Sequence, residues 1–273
     1  HWTAYDEATG KGLLRHLYLR MGFATGEIMV CPVVAGKGHL PQEQEFAASL
    51  ANAFPGVVSI VINHNPKNTN VILGRENRLL WGKETIDDIL CGVRVTLSPH
   101  SFYQVNRGQA QRLYETALDL AQLKDSDILL DLYCGAGTIG LAAAGRVKQV
   151  YGAEIVPQAV ENAKRNAAQN QIRNAEFLCA DCSQAVEEFA QRGIRPDVIV
   201  VDPPRKGCAP EVLTAIRDFS PERLGMISCN PAPAARDCKE LVKMGFTVEK
   251  IVPVDLFPRT GHCESICLFK QTL

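Results

Sequence analysis

The feature that most constrains the fold is the alternation of short apolar strands and helices from residue 128 onward. Strands that alternate with helices of about 10–15 residues form a mostly parallel, doubly wound sheet. Ligands of such sheets bind outside the carboxyl ends of the strands, so residues at those ends are the first candidates for a site. The predicted strands are Ile128–Leu132, Val150–Glu154, Ala175–Ala180, Val198–Val201, Leu224–Ser228, Thr247–Pro253 and Ser265–Lys270. The predicted helices between them are Gly140–Gly145, Pro157–Gln169, Ser183–Gln191, Pro210–Phe219 and Ala232–Met244.

The first part of the chain has a different pattern, in which strands surround a single helix. We predict a smaller α+β domain over residues 1–98 and a catalytic α/β domain over residues 99–273, which a helix at Gly108–Gln122 opens. The first residue is His and not Met, and we expect the first domain to be truncated at its N-terminus. Its predicted elements are the strands Leu13–Arg20, Glu27–Val34, Val57–Asn63 and Val93–Ser98 and the helix Gln44–Phe54.

Composition narrows the class of protein further. The chain has 273 residues and no apolar run of about 18 residues, which excludes a membrane span. Its 10 cysteines belong to a long chain that lacks a signal-peptide pattern, so we expect free thiols and a cytoplasmic location. Cys179 and Cys182 form an isolated C-x-x-C without a second pair or nearby histidines, so we expect no metal site.

A glycine-rich turn follows the first strand of the alternation. Residues 131–140 read D-L-Y-C-G-A-G-T-I-G, in which G-x-G-x-x-G begins at Gly135 and is typical of a turn that binds a cofactor at the start of a helix. The carboxylate of Asp131 suits the cationic amino-acid end of S-adenosylmethionine better than the pyrophosphate of a nicotinamide cofactor. At the next two strand ends, Glu154 can accept hydrogen bonds from ribose hydroxyls and Asp181 from an adenine amino group. Asp181 could equally cap the following helix.

Two further strand ends and the segment before the last predicted strand carry residues that fit one particular reaction. The segments are D-P-P-R-K-G (202–207), S-C-N-P (228–231) and F-P-R-T-G-H-C-E-S (257–265). Carbon 5 of uracil becomes nucleophilic after a thiolate adds to carbon 6, and a base must later remove the proton on carbon 5. We therefore predict Cys229 as the nucleophile, Glu264 as the base and Asp202 as a hydrogen-bonding group for the uracil edge. Arg205, in the same segment as Asp202, is a candidate for contact with the substrate.

These segments, together with S-F-Y-Q-V-N (101–106), resemble the RNA (uracil-5-)-methyltransferase family over about residues 99–273, and residues 11–98 resemble its central domain less sharply. The resemblance implies a Rossmann-like class I methyltransferase fold, S-adenosylmethionine as cofactor and RNA as partner, with 23S ribosomal RNA favoured over the T-loop of tRNA. It also implies that Phe102 stacks near a flipped uracil. The implied cofactor-pocket residues are Gln104, Tyr133, Thr138, Glu154, Asp181 and Asp202.

Family members usually begin with a small β-barrel RNA-binding domain, and many members that act on ribosomal RNA carry an iron–sulfur cluster. Cys31 and Cys91 lack the spacing for such a cluster, so we expect none in this chain. No obligate protein partner is implied.

Alternative interpretations remain open at this point. An amino-directed methyltransferase could use D-P-P without any thiol, a nicotinamide-dependent oxidoreductase could use the glycine turn, and a non-catalytic RNA-binding module could keep the fold. The formal charge of −1 by itself argues against a nucleic-acid binder. Residues 99–273, however, carry 20 basic and 21 acidic residues, and five of those acids are assigned above to cofactor, substrate or proton transfer. The net charge therefore understates the positive charge that RNA would meet.

Overall fold

The computed structural model describes residues 2–272, and within them the chain divides into two units. The first unit comprises the described residues up to Ile89 together with Arg94–Tyr103. The second comprises Leu90–Val93 and the chain from Gln104 onward.

A sheet covered by one helix forms the body of the first unit. In the described part of this unit the sheet has four strands in the order β1-β2-β3-β4, with β2 and β3 parallel and the other pairs antiparallel. The helix buries Ala47 against Val30, Ile60 and Ile62 of the sheet. The elements are β1 (Leu14–Met21), β2 (Ile28–Val34), α1 (Glu43–Ala53), β3 (Val57–His64) and β4 (Glu76–Gly82), followed by a hairpin of β5 (Ile86–Leu90) and β6 (Val93–Leu97).

Strands β4 and β5 were not predicted, for different physical reasons. In β4 the apolar side chains of Leu79 and Trp81 are 40% and 38% exposed, so the strand lacks the buried apolar alternation by which strands are recognised. In β5 a buried position is occupied by Asp88, whose carboxylate accepts hydrogen bonds from the Ala24 N–H (2.8 Å) and the Tyr103 hydroxyl (2.9 Å). A buried acid at a position where an apolar residue is expected breaks the apolar alternation, so the sequence does not indicate a strand.

The second unit confirms the predicted mostly parallel α/β sheet. Within residues 2–272 this large sheet has seven strands in the order β12-β13-β11-β10-β7-β8-β9. Strands β9, β8, β7, β10 and β11 are parallel, and β13 lies antiparallel between β11 and β12. The elements are α2 (Arg107–Leu120), β7 (Ile128–Leu132), α3 (Thr138–Ala143), β8 (Gln149–Glu154), α4 (Pro157–Gln169), β9 (Ala175–Cys179), α5 (Cys182–Gln191), β10 (Val198–Val201), α6 (Pro210–Phe219), β11 (Arg223–Ser228), α7 (Pro231–Lys243), β12 (Phe246–Val254) and β13 (Glu264–Gln271).

The order of the strands determines where a ligand can bind. The chain moves outward from β7 through β8 to β9, and then returns to β10 and β11 on the other side of β7. Right-handed crossovers therefore place helices on both faces of the sheet, and a crevice opens at the reversal between β7 and β10. On one face, helices α5, α6 and α7 bury Phe189, Leu213 and Leu241 against the strands. No helix among residues 2–272 has the length and hydropathy that a bilayer span needs.

A buried ion pair fixes the end of the large sheet away from the strand carboxyl ends. Arg223, at the start of β11, is 4% exposed, and Asp127, just before β7, is 2% exposed. The Arg223 Nη2 donates to both oxygens of Asp127 at 2.9 Å, and its Nη1 donates to the carbonyl oxygen of Ala121 at 2.9 Å. The pair thus ties β11, β7 and the end of α2 together.

We expect Asp127→Asn to lower the free energy of unfolding by about 3–5 kcal/mol, because it removes the buried counter-charge of Arg223 and leaves only the exposed Glu222 carboxylate at 3.5 Å. Urea denaturation followed by circular dichroism measures the loss. Asp119→Asn is the matched control, since it removes the partner of Arg146 from an exposed pair at 3.0 Å and should cost at most about 1 kcal/mol. Equal losses for the two variants would contradict this account of the buried pair.

Candidate active site

The glycine turn after β7 is tied to the start of helix α3 by Asp131. This residue is fully buried, and its Oδ2 accepts a hydrogen bond from the Gly140 N–H at 2.9 Å. Its Oδ1 is also buried, yet among the described residues it has no hydrogen-bond partner. Burial raises the pKa of Asp131 to about 7, with a smaller contribution in the same direction from the Glu154 carboxylate and against the lowering effect of the Gly140 hydrogen bond. A buried acceptor without a donor is costly, so a ligand that supplies a donor would be stabilised here.

The backbone of the turn is held from the neighbouring strand. Gly135 has a left-handed φ of 54°, and the Glu154 Oε2 at the end of β8 accepts from its N–H at 3.1 Å. The Oε1 of Glu154 accepts from the Val156 N–H at 2.9 Å. A Cβ added at Gly135 would meet no heavy atom of residues 2–272 within 4 Å, its chain neighbours aside. The turn therefore leaves open space on the side that a larger residue would fill.

Two predicted cofactor residues lie at the glycine turn, one within it and one directly after it. Tyr133 is half-buried and has a φ of 65°, a left-handed conformation that is costly for a residue other than glycine and is enriched at functional sites. Thr138 is the first residue of α3, beside the turn. Both lie at the carboxyl end of β7, where the ligand of such a sheet binds.

Asp181 caps a helix, which is the alternative interpretation that the sequence left open. Its Oδ1 accepts hydrogen bonds from the Ser183 N–H (2.9 Å) and the Gln184 N–H (3.0 Å) at the start of α5. Its Oδ2 lies outside these two bonds. A contact with an adenine amino group would have to use that second oxygen, and the cofactor role of Asp181 stays a prediction.

Gln104, a predicted cofactor residue, contacts Tyr114, which the sequence did not single out. Its Nε2 donates to the hydroxyl of Tyr114 on helix α2 at 3.5 Å. Burial raises the pKa of the Tyr114 phenol, and the carboxylates of Asp202 and Asp131 raise it further, so these groups are near neighbours. Tyr114 lies in the buried stripe of α2, where its spacing cannot be distinguished from that of an ordinary core aromatic.

The predicted nucleophile and base lie beside each other at the same edge of the large sheet. In the antiparallel pair β11–β13, Ser228 is opposite Ser265, and the Ser265 hydroxyl donates to the Ser228 carbonyl oxygen at 3.4 Å. Cys229 follows Ser228 and Glu264 precedes Ser265, so the register brings the half-buried thiol and the carboxylate, which is 4% exposed, to adjacent positions. Asp202 follows β10, the strand on the other side of β11.

The charges of Glu264, Asp202 and Arg205 influence the pKa values of the groups around Cys229. Burial raises the pKa of the Cys229 thiol, as do Glu264 and Asp202, while the Arg205 guanidinium lowers it. Burial, together with smaller contributions from the Glu264 and Asp131 carboxylates, raises the pKa of Asp202 to about 7. Burial also raises the pKa of Glu264, against the opposing effect of Arg205. The site therefore offers carboxylates that accept protons closer to neutral pH than an exposed carboxylate does, next to a thiol whose anion Arg205 favours.

The two predicted substrate residues belong to different units. Phe102 lies in the first unit and is 81% exposed, and Arg205 is an exposed residue of the second unit. Their roles in RNA binding stay predictions. Across residues 2–272, no group of three or more His, Cys, Asp or Glu side chains is arranged to hold a metal ion. The isolated pair Cys179 and Cys182 consists of one exposed and one buried free thiol.

The strand order, the antiparallel strand β13 and the glycine turn backed by an acid on the next strand define a Rossmann-like class I methyltransferase fold. A sequence model of the tRNA (uracil-5-)-methyltransferases matches residues 74–272. The chain belongs to the tRNA (uracil-5-)-methyltransferase family.

Several relatives support this membership. The chain is 44% identical over 272 residues to an uncharacterized RNA methyltransferase of Lactobacillus johnsonii, covering 100% of this chain and 60% of the relative. It is 42% identical over 267 residues to one of Clostridium acetobutylicum, covering 98% of this chain and 58% of the relative. This chain thus spans little more than half the length of these relatives.

A solved structure extends the comparison to three dimensions. It is the Pyrococcus abyssi tRNA (uracil-54, C5)-methyltransferase in complex with S-adenosyl-L-homocysteine. The two share 30% sequence identity at a TM-score of 0.80, over 98% of this chain and 62% of the archaeal one. The wild-type Trm5b of the same organism, at 12% identity and a TM-score of 0.59, shares the fold alone.

Proposed function

We propose that this chain carries the catalytic site of an enzyme that methylates carbon 5 of a uridine in RNA, and that the RNA is 23S ribosomal RNA. The observation that carries the proposal is the register of β11 and β13, with a thiol at Cys229 next to a buried carboxylate at Glu264. Simple amino-group methylation requires no thiol, and an RNA-binding module requires neither group.

The proposed reaction assigns one role to each of three residues. The Cys229 thiolate adds to carbon 6 of the uracil, and the electron pair of the 5,6 double bond moves toward the O4 carbonyl to form an enolate. Asp202 positions the uracil edge by hydrogen bonding. After carbon 5 has been methylated, Glu264 removes its remaining proton. The electron pair of that C–H bond re-forms the double bond and expels the Cys229 thiolate.

We propose S-adenosylmethionine as the cofactor, which supplies an electrophilic methyl group when bound. The unpartnered Oδ1 of Asp131 fits the ammonium of its amino-acid end, and the open space at Gly135 fits close approach of the ligand to the backbone. Glu154, which already orients the turn, can accept from ribose hydroxyls with its remaining lone pairs. The residues proposed to line the cofactor pocket are Gln104, Tyr133, Gly135, Thr138, Glu154, Asp181 and Asp202.

We expect Glu154→Gln to weaken binding of S-adenosylhomocysteine roughly 10- to 100-fold. The amide removes one charged acceptor from the turn, and hydrogen bonds to a charged group contribute about 1.5–3 kcal/mol. Isothermal titration calorimetry gives the affinity. Glu176→Gln on β9, which breaks an exposed pair between Glu176 and Arg192, is the control and should bind as the unmodified chain does. Unchanged affinity in Glu154→Gln would remove Glu154 from the pocket.

The target RNA is tested by nucleoside mass spectrometry of separated 23S ribosomal RNA and tRNA from cells with and without the gene. We expect 5-methyluridine to fall in 23S ribosomal RNA. A fall in tRNA alone would overturn the choice of RNA and keep the chemistry. Loss of a methylated exocyclic amine instead would establish the amino-directed alternative, and no change in any RNA would overturn the proposed function.

We also propose that the protein works in the cytoplasm. An RNA substrate and a reactive thiol both support this location, because a thiol nucleophile needs a reducing compartment. We further propose that this chain holds no iron–sulfur cluster, since Cys31 and Cys91 lack the spacing of cluster ligands.

A further inference from the structure

The loop that follows β10 is anchored by helix α7 at several backbone atoms. The loop comprises residues 202–208, and we call it the Asp202 loop. The Cys208 N–H donates to the Asp237 Oδ2 at 2.8 Å. The Arg236 Nη2 donates to the carbonyl oxygen of Lys206 at 2.9 Å and to that of Cys208 at 3.4 Å. Two consecutive residues of α7 thus bind both the donor and the acceptor groups of the end of the loop.

The anchoring pair is itself preorganised. Asp237 is fully buried, and its Oδ1 accepts from the Nε of Arg236 at 2.8 Å and lies 2.7 Å from the Nη2. Each Asp237 oxygen therefore has its own partner: Arg236 for Oδ1 and the loop N–H for Oδ2. A fully buried carboxylate is expensive unless it is paired and hydrogen-bonded in this way.

The fit between the loop and the pair is close at Gly207. This residue has a left-handed φ of 83°, and a Cβ added to it would come within 2.5 Å of both the Arg236 Nη2 and the Asp237 Oδ2. A side chain at position 207 would therefore displace the anchor. The glycine in D-P-P-R-K-G is required by this close approach as well as by its backbone conformation.

The anchored loop includes Arg205, whose backbone contacts the residue that follows the thiol. Arg205 comes two residues before Gly207, and its carbonyl oxygen accepts from the Nδ2 of Asn230, the residue after Cys229, at 3.4 Å. The charged groups that act on Cys229 are Glu264 from β13 together with Asp202 and Arg205 from the loop. Arg205 is a positive charge among these groups, so its position influences the fraction of thiolate.

We propose that Arg236 and Asp237 are positioning residues, which hold the Asp202 loop so that Arg205 stays beside Cys229 and Glu264. The inference rests on the proposed function, because Cys229 is taken as the nucleophile of that reaction. It adds that helix α7 influences the charge at the nucleophile through its contacts with the Asp202 loop.

The test measures alkylation of Cys229 by iodoacetamide as a function of pH, with the modified peptide quantified by mass spectrometry. Arg236→Gln should let the loop move and take Arg205 away from the thiol. Loss of a nearby positive charge raises the pKa of a thiol, so alkylation should slow at pH values below that pKa and reach the same plateau above it. A displacement of the profile by about 0.5–1 pH unit corresponds to a roughly 3- to 10-fold slower reaction.

Matched variants separate positioning from general destabilisation. Arg217→Gln removes the same kind of neighbour pair, Arg217 with Asp218 at 2.7 Å, from an exposed part of α6, and should leave the profile unchanged. Arg205→Gln should shift the profile in the same direction as Arg236→Gln. The double variant should shift it no further than Arg205→Gln alone, because the two residues act on one charge. Asp237→Asn is a second probe of the anchor, used if thermal melting shows that it folds.

The outcomes distinguish this inference from the proposed function, since alkylation needs neither RNA nor cofactor. An unshifted profile in Arg236→Gln, or additive shifts in the double variant, would overturn the positioning role even if the enzyme methylates uridine. A shifted, non-additive profile supports the positioning role. If it occurs in a protein that methylates no RNA, the anchor stands and the proposed function fails.

Discussion

Replacing Cys229 by Ala is expected to lower methylation of uridine by on the order of 10⁴-fold or more, because the variant has no nucleophile to activate carbon 5. The sharper readout uses RNA that contains 5-fluorouridine. After methyl transfer, carbon 5 of that base carries fluorine in place of the proton that Glu264 would remove, so elimination stops and the covalent adduct persists. A denaturing gel should show this adduct with the unmodified protein and none with Cys229→Ala.

The control for this prediction is another half-buried cysteine. Cys91→Ala removes a thiol whose contact is the Gln111 carbonyl oxygen at 3.8 Å, outside the β11–β13 edge. That variant should form the adduct at the unmodified rate. An adduct that survives in Cys229→Ala would contradict the assignment of the nucleophile.

Glu264→Gln is expected to separate the two halves of the reaction. Adduct formation should continue, since loss of the carboxylate's negative charge removes an influence that raises the pKa of the Cys229 thiol. Release should slow by roughly 10²- to 10⁴-fold, the usual contribution of a positioned general base. Single-turnover experiments with ordinary uridine RNA should therefore show a covalent species that accumulates and decays slowly.

Glu249→Gln provides the comparison for this second variant. Glu249 lies on the neighbouring strand β12 and pairs with Lys270 at 2.7 Å, on residues that the proposed reaction does not use. The Glu249→Gln variant should methylate RNA and release the product at the unmodified rate. Rapid turnover by Glu264→Gln as well would exclude Glu264 as the base that removes the carbon 5 proton.

The sequence predicts the second unit far better than the first. The bounds of β7, α4, β10 and α6 agree with the prediction at both ends, because each is a run of apolar or amphipathic residues between clear turn signals. In the first unit, β4 exposes apolar side chains and β5 buries Asp88, so burial no longer follows residue type. Local patterns predict an element only where its side chains face the solvent or the core as their polarity suggests.

A similar limit applies to the site. Acids at strand ends are visible in sequence, because the fold class brings those ends together. Asp181 could not be assigned, since capping a helix and binding a ligand require an acid at the same position. Tyr114 and the pair Arg236 and Asp237 were not singled out in the sequence, because they lie on helices and contact Gln104 and the Asp202 loop from there. Their contacts depend on the tertiary arrangement of α2 and α7, which no local spacing encodes.

The position of β13 has a consequence for how the protein is made. Strand β13 lies between β11 and β12 in the sheet, although residues 264–271 are synthesised after both. Until residues 264–271 have left the ribosome, β12 lacks the strand that pairs with it in the folded sheet. The edge of β11 that later pairs with β13 is also unpaired until then. The same late strand begins with Glu264. A chain that ends before residue 264 would therefore lack both the strand that joins β11 to β12 and the proposed base.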